Sequence, residues 1–203
     1  MTAYSQPIDA RILRSLRAAT SGSVLSAKHF EGFGSAAAVR QALSRLVRAG
    51  KIRRIRRGLY DLPRQHPIIG QTAPDIMATV RALMEGSQAQ WQFSGAYAAN
   101  ALGLSDQVPA KIVIYTDGVA RRVALGKLLL AFRHAAPRNL LGAGRPAGLV
   151  IQALRYLHGS PDTAQHVTHL RKHTDAATKA DLKSLAPRMP AWMRPLVQQI
   201  VRE

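Results

Sequence analysis

The chain has 203 residues, 47% of them hydrophobic, so it can bury a real core, and wholesale disorder is excluded. It has no cysteine, which excludes disulfides and thiolate metal sites and fits a reducing compartment. Lysine and arginine number 29 against 11 acids, a net charge of +18 that attracts phosphate backbones.

The charge is unevenly spread. Residues 1–63 carry 12 basic and 3 acidic side chains, and residues 64–203 carry 17 and 8. Half of the excess thus lies in under a third of the chain, as a localised nucleic-acid footprint requires and a generally basic surface does not. No apolar run approaches the ~18 residues of a membrane span. Met1 to Asp9 lack the basic-then-apolar pattern of a signal peptide. The expectation is a soluble cytoplasmic protein with no membrane partner.

Ile8, Ile12, Leu13 and Leu16 recur at helical spacing and predict a first helix from about Asp9 to Ala19, ended by Thr20-Ser21-Gly22. Val24-Leu25 reads as a short strand, Ser26 as the cap of a short helix through Phe30, and Glu31 to Gly34 as a turn. Ser35 is a good N-cap and Gly50 a good C′ residue for a helix over Ala36 to Ala49. At 100° per residue, Val39, Leu43 and Leu46 form its core stripe. Ala37, Arg40, Gln41, Ser44 and Arg48 form the opposite one, without a negative charge. An ordinary solvated face gives the same pattern. A reading helix in a major groove needs it too, because arginine pairs with guanine edges and glutamine with adenine edges.

The next segment shifts that balance. Lys51 to Arg57 holds five basic residues in seven, and Gly58 and an alternating Leu59-Tyr60-Asp61-Leu62 follow. This predicts a two-stranded hairpin with Gly58 supplying a positive φ at the turn. Ile52, Ile55, Leu59 and Leu62 also fit a helical spacing, but Gly50, Gly58 and Pro63 favour the hairpin. A basic hairpin directly behind a reading helix is the wing of a winged helix, whose arginines grip phosphate or enter the minor groove. The side chains expected to meet double-stranded DNA are Ser35, Ala37, Arg40, Gln41, Ser44, Arg45 and Arg48 from the helix. Lys51, Arg53, Arg54, Arg56 and Arg57 join them from the hairpin.

Pro63-Arg64-Gln65-His66-Pro67 places two prolines in five residues, and the domain boundary is expected there: residues 1–66 as a winged helix-turn-helix domain, residues 67–203 as a second domain. In the latter, Asp75 to Met84 reads as a helix, and Ser94 caps another to about Leu102. Strands are expected at Lys111–Thr116, Arg122–Leu125 and Leu128–His134, with Gly118 and Gly126 in turns. Four helices follow: Pro146–Leu157, Thr163–His173, Ala176–Leu185 and Ala191–Val201. The fold class is α+β, a winged helix-turn-helix domain followed by a small sheet with C-terminal helices.

Two ordered blocks carry a family resemblance. The first is Ser35-x3-Val39-Arg40-x-Ala42-Leu43-x-Arg45-Leu46 with Gly50-x-Ile52-x-Arg54-Ile55-x-Arg57-Gly58-Leu59-Tyr60. The second is Ser94-Gly95-x2-Ala98-x-Asn100-x-Leu102-Gly103-Leu104-x2-Gln107-x-Pro109, followed by Tyr115-Thr116-x-Gly118. Together they resemble the AbiEi-type antitoxins. The resemblance implies a type IV toxin–antitoxin or abortive-infection role: a winged helix that binds inverted repeats and represses its own operon, and a C-terminal domain that counteracts a nucleotidyltransferase-like toxin.

The second domain offers little chemistry. Gly142-x-Gly144-x-x-Ala147 imitates a dinucleotide-binding glycine motif, but Pro137 and Asn139 interrupt the strand it needs, so it reads as a loop entering a helix at Pro146. His166, His169 and His173 share a helix face that zinc ligands would need, and a polar face gives the same spacing. No Asp-x-Asp pair is present for magnesium, so the chain reads as the partner of a nucleotidyltransferase rather than as an enzyme. No cofactor or metal is expected. Trp192 between Pro190 and Pro195 reads as a core anchor of the last helix.

The competing readings are a transcriptional regulator with a ligand-sensing or oligomerising C-terminal domain and a basic RNA-associated protein. Aromatic residues make up only 5% of the chain, which counts against RNA, whose bases need stacking platforms. One winged helix reads too few bases for a unique site, so two copies on an inverted repeat are expected.

Overall fold

The computed structural model describes residues 7–20, 22–68 and 70–202; Met1–Gln6 of the leader reading and Ser21 of the expected helix-ending turn lie outside it. The fold is α+β, divided into two compact units, Met1–Ser87 and Gln88–Glu203. No helix among the described residues is long and apolar enough to cross a membrane.

The first unit begins with α1 (Ile8–Ala18), which buries Ile12 and Leu16 one turn apart. A short strand, β1 (Val24–Ser26), leads into a 3-10 turn at Ala27–Phe30. Ser26 stands at the cap position of that turn but makes no capping bond; its Oγ donates to Glu85 Oε2 at 2.6 Å. Next comes α2 (Ala36–Arg48), where Ser35 does cap, accepting from the Ala38 amide at 3.2 Å. The stripe expected to face inward is buried: Val39, Leu43 and Leu46, together with Ala42. They pack with Ile12, Leu16, Phe30, Ile52 and Tyr60 into one cluster. Each fully buried leucine or isoleucine contributes about 1.5–3 kcal/mol, which is what holds α2 so that its other face is turned to solvent.

The basic segment forms a hairpin of β2 (Arg53–Arg56) and β3 (Leu59–Asp61). The sheet order is β1-β3-β2, antiparallel throughout. Gly58 closes the hairpin at φ 83°, a conformation any Cβ would strain. A bulge at Ile55 breaks the register between Arg54 and Arg56.

The unit does not end at Pro63. Gln65–His66 (β4) and Gly70–Gln71 (β5) pair as a small ribbon, and α3 (Ile76–Met84) packs against β1 and β3. The expected boundary near residue 66 therefore moves to Ser87. Proline interrupts regular structure without releasing the chain. The Thr72 amide donates to the Arg64 carbonyl at 2.9 Å and the Thr72 carbonyl accepts from Arg53, which ties the segment back to the hairpin.

The second unit opens with β6 (Trp91–Phe93), a strand the sequence pattern missed, and α4 (Gly95–Ala101). Strands β7 (Lys111–Thr116), β8 (Arg121–Leu125) and β9 (Leu128–His134) complete a sheet of order β6-β7-β9-β8. β9 lies between β7 and β8 and runs parallel to β7, Lys111 opposite Leu129 through Thr116 opposite His134.

Four helices follow: α5 (Pro146–Tyr156), α6 (Thr163–His173), α7 (Ala176–Leu185) and α8 (Met193–Val201). Their core includes Ile151, Leu170, Leu182, Met193 and Ile200, all nearly inaccessible, with Trp192 partly buried against it. The Gly142-x-Gly144 segment is the loop entering α5. A Cβ on Gly148 would lie 2.1 Å from the Gly142 carbonyl oxygen, so Gly142 and Gly148 serve a close backbone approach.

Candidate nucleic-acid interface

Because the buried stripe of α2 fixes its rotation, Ala37, Arg40, Gln41, Ser44, Arg45 and Arg48 are all exposed, and together they line a shallow concavity of about 500 Å³. Arg48 donates to the Ser44 hydroxyl at 3.1 Å, which holds its guanidinium along the helix. Ser35 lies at the helix start, where its hydroxyl oxygen accepts from the Ala38 amide.

Arg45 differs from its neighbours. It forks onto Asp9 of α1, Nη2 to Oδ1 at 2.6 Å and Nε to Oδ2 at 3.3 Å. The bonds to and charge of Asp9 raise its pKa further, while the Arg45 side chain stays more than half exposed. Arg45 therefore lines the concavity and also bridges α2 to α1.

A second concavity, about 360 Å³, runs between α2 and the hairpin. Arg40, Leu43, Ser44, Val47 and Arg48 form its helix wall, and Arg54, Arg57, Gly58 and Tyr60 form its hairpin wall. Helix and hairpin residues separated in sequence thus share one groove. No carboxylate lines either concavity among the described residues. Arg56 and Lys51 are exposed on the same segment but line neither.

Arg53 does not join them. Burial alternates along β2, and Arg53 lies on the inward side. Its Nε donates to Asp61 Oδ1 at 3.0 Å and its Nη2 to Oδ2 at 2.5 Å, while Nη1 donates to the Thr72 carbonyl. Its expected role in meeting DNA is corrected accordingly: it is the brace of the hairpin's base. Sequence reasoning also overlooked Arg17 and Arg64, exposed side chains that line a third concavity with Thr20 and Pro63. No local pattern announces this pair, because only the tertiary fold brings the end of α1 beside Pro63.

The histidines of α6 are not assembled as a metal site. His169 Nε2 lies 3.0 Å from the Leu102 carbonyl, and His173 Nδ1 lies 2.9 Å from the His169 carbonyl. No group of three ligands that could hold a metal ion occurs among the described residues.

A family of unknown function, DUF6088, matches residues 11–179, from α1 into the first turn of α7. The chain belongs to this family. Its match takes in α2, the hairpin and the sheet of the second unit, so it extends over parts of both units and stops before α8. Among solved structures, the RV2827C protein from Mycobacterium tuberculosis is similar at 21% identity and a TM-score of 0.43, covering 95% of this chain and 77% of that chain. A search of curated proteins finds no match.

Proposed function

We propose that the first unit is a winged helix-turn-helix module and that the chain is a DNA-binding antitoxin that represses its own operon. The observation that carries the DNA reading is the carboxylate-free groove in which Arg40, Ser44 and Arg48 of α2 stand opposite Arg54 and Arg57 of the hairpin. An exposed helix with arginine and glutamine on its front suits base edges, and flanking hairpin arginines suit phosphates. In this reading Arg40 and Gln41 read bases, and Arg54, Arg56 and Arg57 grip the backbone or minor groove. Arg53 and Arg45 act as positioning residues.

The antitoxin part rests on the resemblance of the two sequence blocks to AbiEi-type proteins. It assigns the second unit to counteracting a nucleotidyltransferase-like toxin. The direct test is fluorescence anisotropy of the full chain on the DNA upstream of its gene and on a scrambled duplex of equal length, across a salt series. Specific binding is expected to exceed non-specific binding by about 10³-fold or more. Equal affinity for both duplexes refutes operator recognition. For the second part, the neighbouring gene is expressed alone and with this chain; growth arrest unrelieved by co-expression refutes the antitoxin role.

A further inference from the structure

The concavity of Arg17 and Arg64 in the first unit measures about 290 Å³ and shares no lining residue with the α2 face or the groove. It lies at the other end of the sheet from the groove. Val24 of β1 stands opposite Asp61, and Ser26 opposite Leu59. Ser23, just before β1, lines the concavity, and Ala27, just after it, lines the groove. β1 and β3 thus run from one to the other, and a duplex held in the groove faces the opposite end of the unit.

Arg17, in the last turn of α1, and Arg64, just after Pro63, are both exposed and line the concavity with Thr20 and Ser23. Neither guanidinium has an ion pair or a hydrogen bond among the described residues. Arg64 is nevertheless placed. Its carbonyl accepts from the Thr72 amide at 2.9 Å. Its guanidinium lies flat over Gly22, where a Cβ would stand 3.4 Å from Cζ and 3.5 Å from both Nη1 and Nη2. A guanidinium lying flat directs its N–H groups outward in its own plane, where an acceptor can meet them. No carboxylate lines the concavity. Asp61, at this end of the sheet, is buried and already bound by Arg53. Leu16, Leu62 and Pro63 supply an apolar wall beside the two cations.

We propose that this concavity binds a small phosphomonoester, its phosphate oxygens taken by Arg17, Arg64 and the Thr20 and Ser23 hydroxyls, its organic group lying on Leu62 and Pro63. The planar fork of arginine matches phosphate oxygens two at a time, and two cations match the charge of a phosphomonoester dianion. A ~150 Å³ cavity holds a benzene, so one small ring fits beside the phosphate. The inference goes beyond the DNA reading and does not depend on it.

The test follows the NMR shifts of the Thr20, Gly22 and Ser23 amides in the full chain. Phenyl phosphate, inorganic phosphate or benzyl alcohol is added at constant ionic strength set with sodium chloride. Phenyl phosphate is expected to shift these amides saturably in the millimolar range, inorganic phosphate to bind several-fold more weakly, and benzyl alcohol to leave them unmoved. Arg17→Ala and Arg64→Ala are each expected to weaken phenyl phosphate about ten-fold. Both side chains are exposed, so circular dichroism is expected to stay unchanged in either variant. Saturating the chain with duplex DNA is expected to leave the phenyl phosphate titration as it was. No saturable shift with either phosphate, or one that persists in both arginine variants, overturns the site. Equal binding of inorganic and phenyl phosphate overturns the seat for the organic group. Displacement of phenyl phosphate by duplex, with Arg64→Ala weakening duplex binding, gives these arginines to the DNA backbone and overturns the separate ligand.

Discussion

Arg53 and Arg54 are neighbours in sequence with opposite surroundings, and exchanging each for alanine separates structure from recognition. The Arg53 side chain is 20% exposed and its partner, the Asp61 side chain, 3%. Arg53→Ala leaves that carboxylate buried without its cation and frees the Thr72 carbonyl that anchors the segment before α3. Breaking a buried pair from one side costs ~3–5 kcal/mol. The open fifth of the arginine lets water recover part of this, so about 3 kcal/mol is expected, roughly 15 °C in the melting temperature of a domain this size. Arg54→Ala removes an exposed side chain and is expected to change stability by less than ~0.5 kcal/mol. On DNA the order reverses: Arg54→Ala flattens the salt dependence by about one phosphate contact. The assay is amide exchange of β2 and β3 in increasing urea, which reports the first unit separately from the second, beside anisotropy on duplex DNA. The double substitution Arg53→Met, Asp61→Leu is expected to restore most of the stability, since an apolar pair replaces the ion pair without stranding a charge. If Arg53→Ala protects β2 and β3 as well as the unaltered chain does, or Arg54→Ala exposes them equally, the division of roles is wrong.

Arg40→Ala is expected to cost ~1–3 kcal/mol on the operator and to relax one base position; an equal loss on random DNA sinks its role in base reading. Two copies are expected on an inverted repeat with half-sites near multiples of ~10.5 bp, and a footprint showing one protomer on an asymmetric site rejects this. The 88–203 fragment, rather than 67–203, is expected to fold and to relieve the toxin, because a cut at residue 66 strips α3 from β1 and β3. A folded 88–203 fragment that gives no rescue contradicts the assignment. Asp175 caps α7, and the bonds from the Thr178 amide and hydroxyl hold its pKa below the usual carboxylate value. Its contribution to stability is present above the unfolded carboxylate pKa and is lost as pH falls through the lower folded value. Asp175→Ala should therefore lower the melting temperature near neutrality and converge with the unaltered chain in strong acid; a gap that persists unchanged into acid refutes the link.

What was legible in the sequence follows the range of the interactions involved. Ser35 and Gly50 mark the ends of α2 because capping is settled within a few residues, and the stripe of Val39, Leu43 and Leu46 fixes its rotation for the same reason. Gly58 announces the hairpin, and α6 and α7 run over the expected residues. Ser26 satisfies the same local rule as Ser35 and still does not cap; its hydroxyl instead donates to Glu85, an acceptor that only the tertiary fold supplies. The parallel pairing of β7 with β9 and the three-residue β6 were hidden in the same way, since each strand's partner lies far along the chain.

The same limit governs the candidate interface. A run of five basic residues in seven reads as one uniform patch, yet a strand turns alternate side chains to opposite faces, so Arg53 and Ile55 are half-buried while Arg54 and Arg56 are exposed. Asp61 then selects Arg53 as its partner because Arg53 stands directly across from it in the register, while Arg54 stands across from Tyr60 and keeps its charge for solvent. The charge available to a phosphate backbone is therefore smaller than the sequence count, by the cations that the fold spends on Asp61 and Asp9. A salt dependence that matched every arginine and lysine of α2 and the hairpin, rather than those left unpaired, would require these two ion pairs to open on binding.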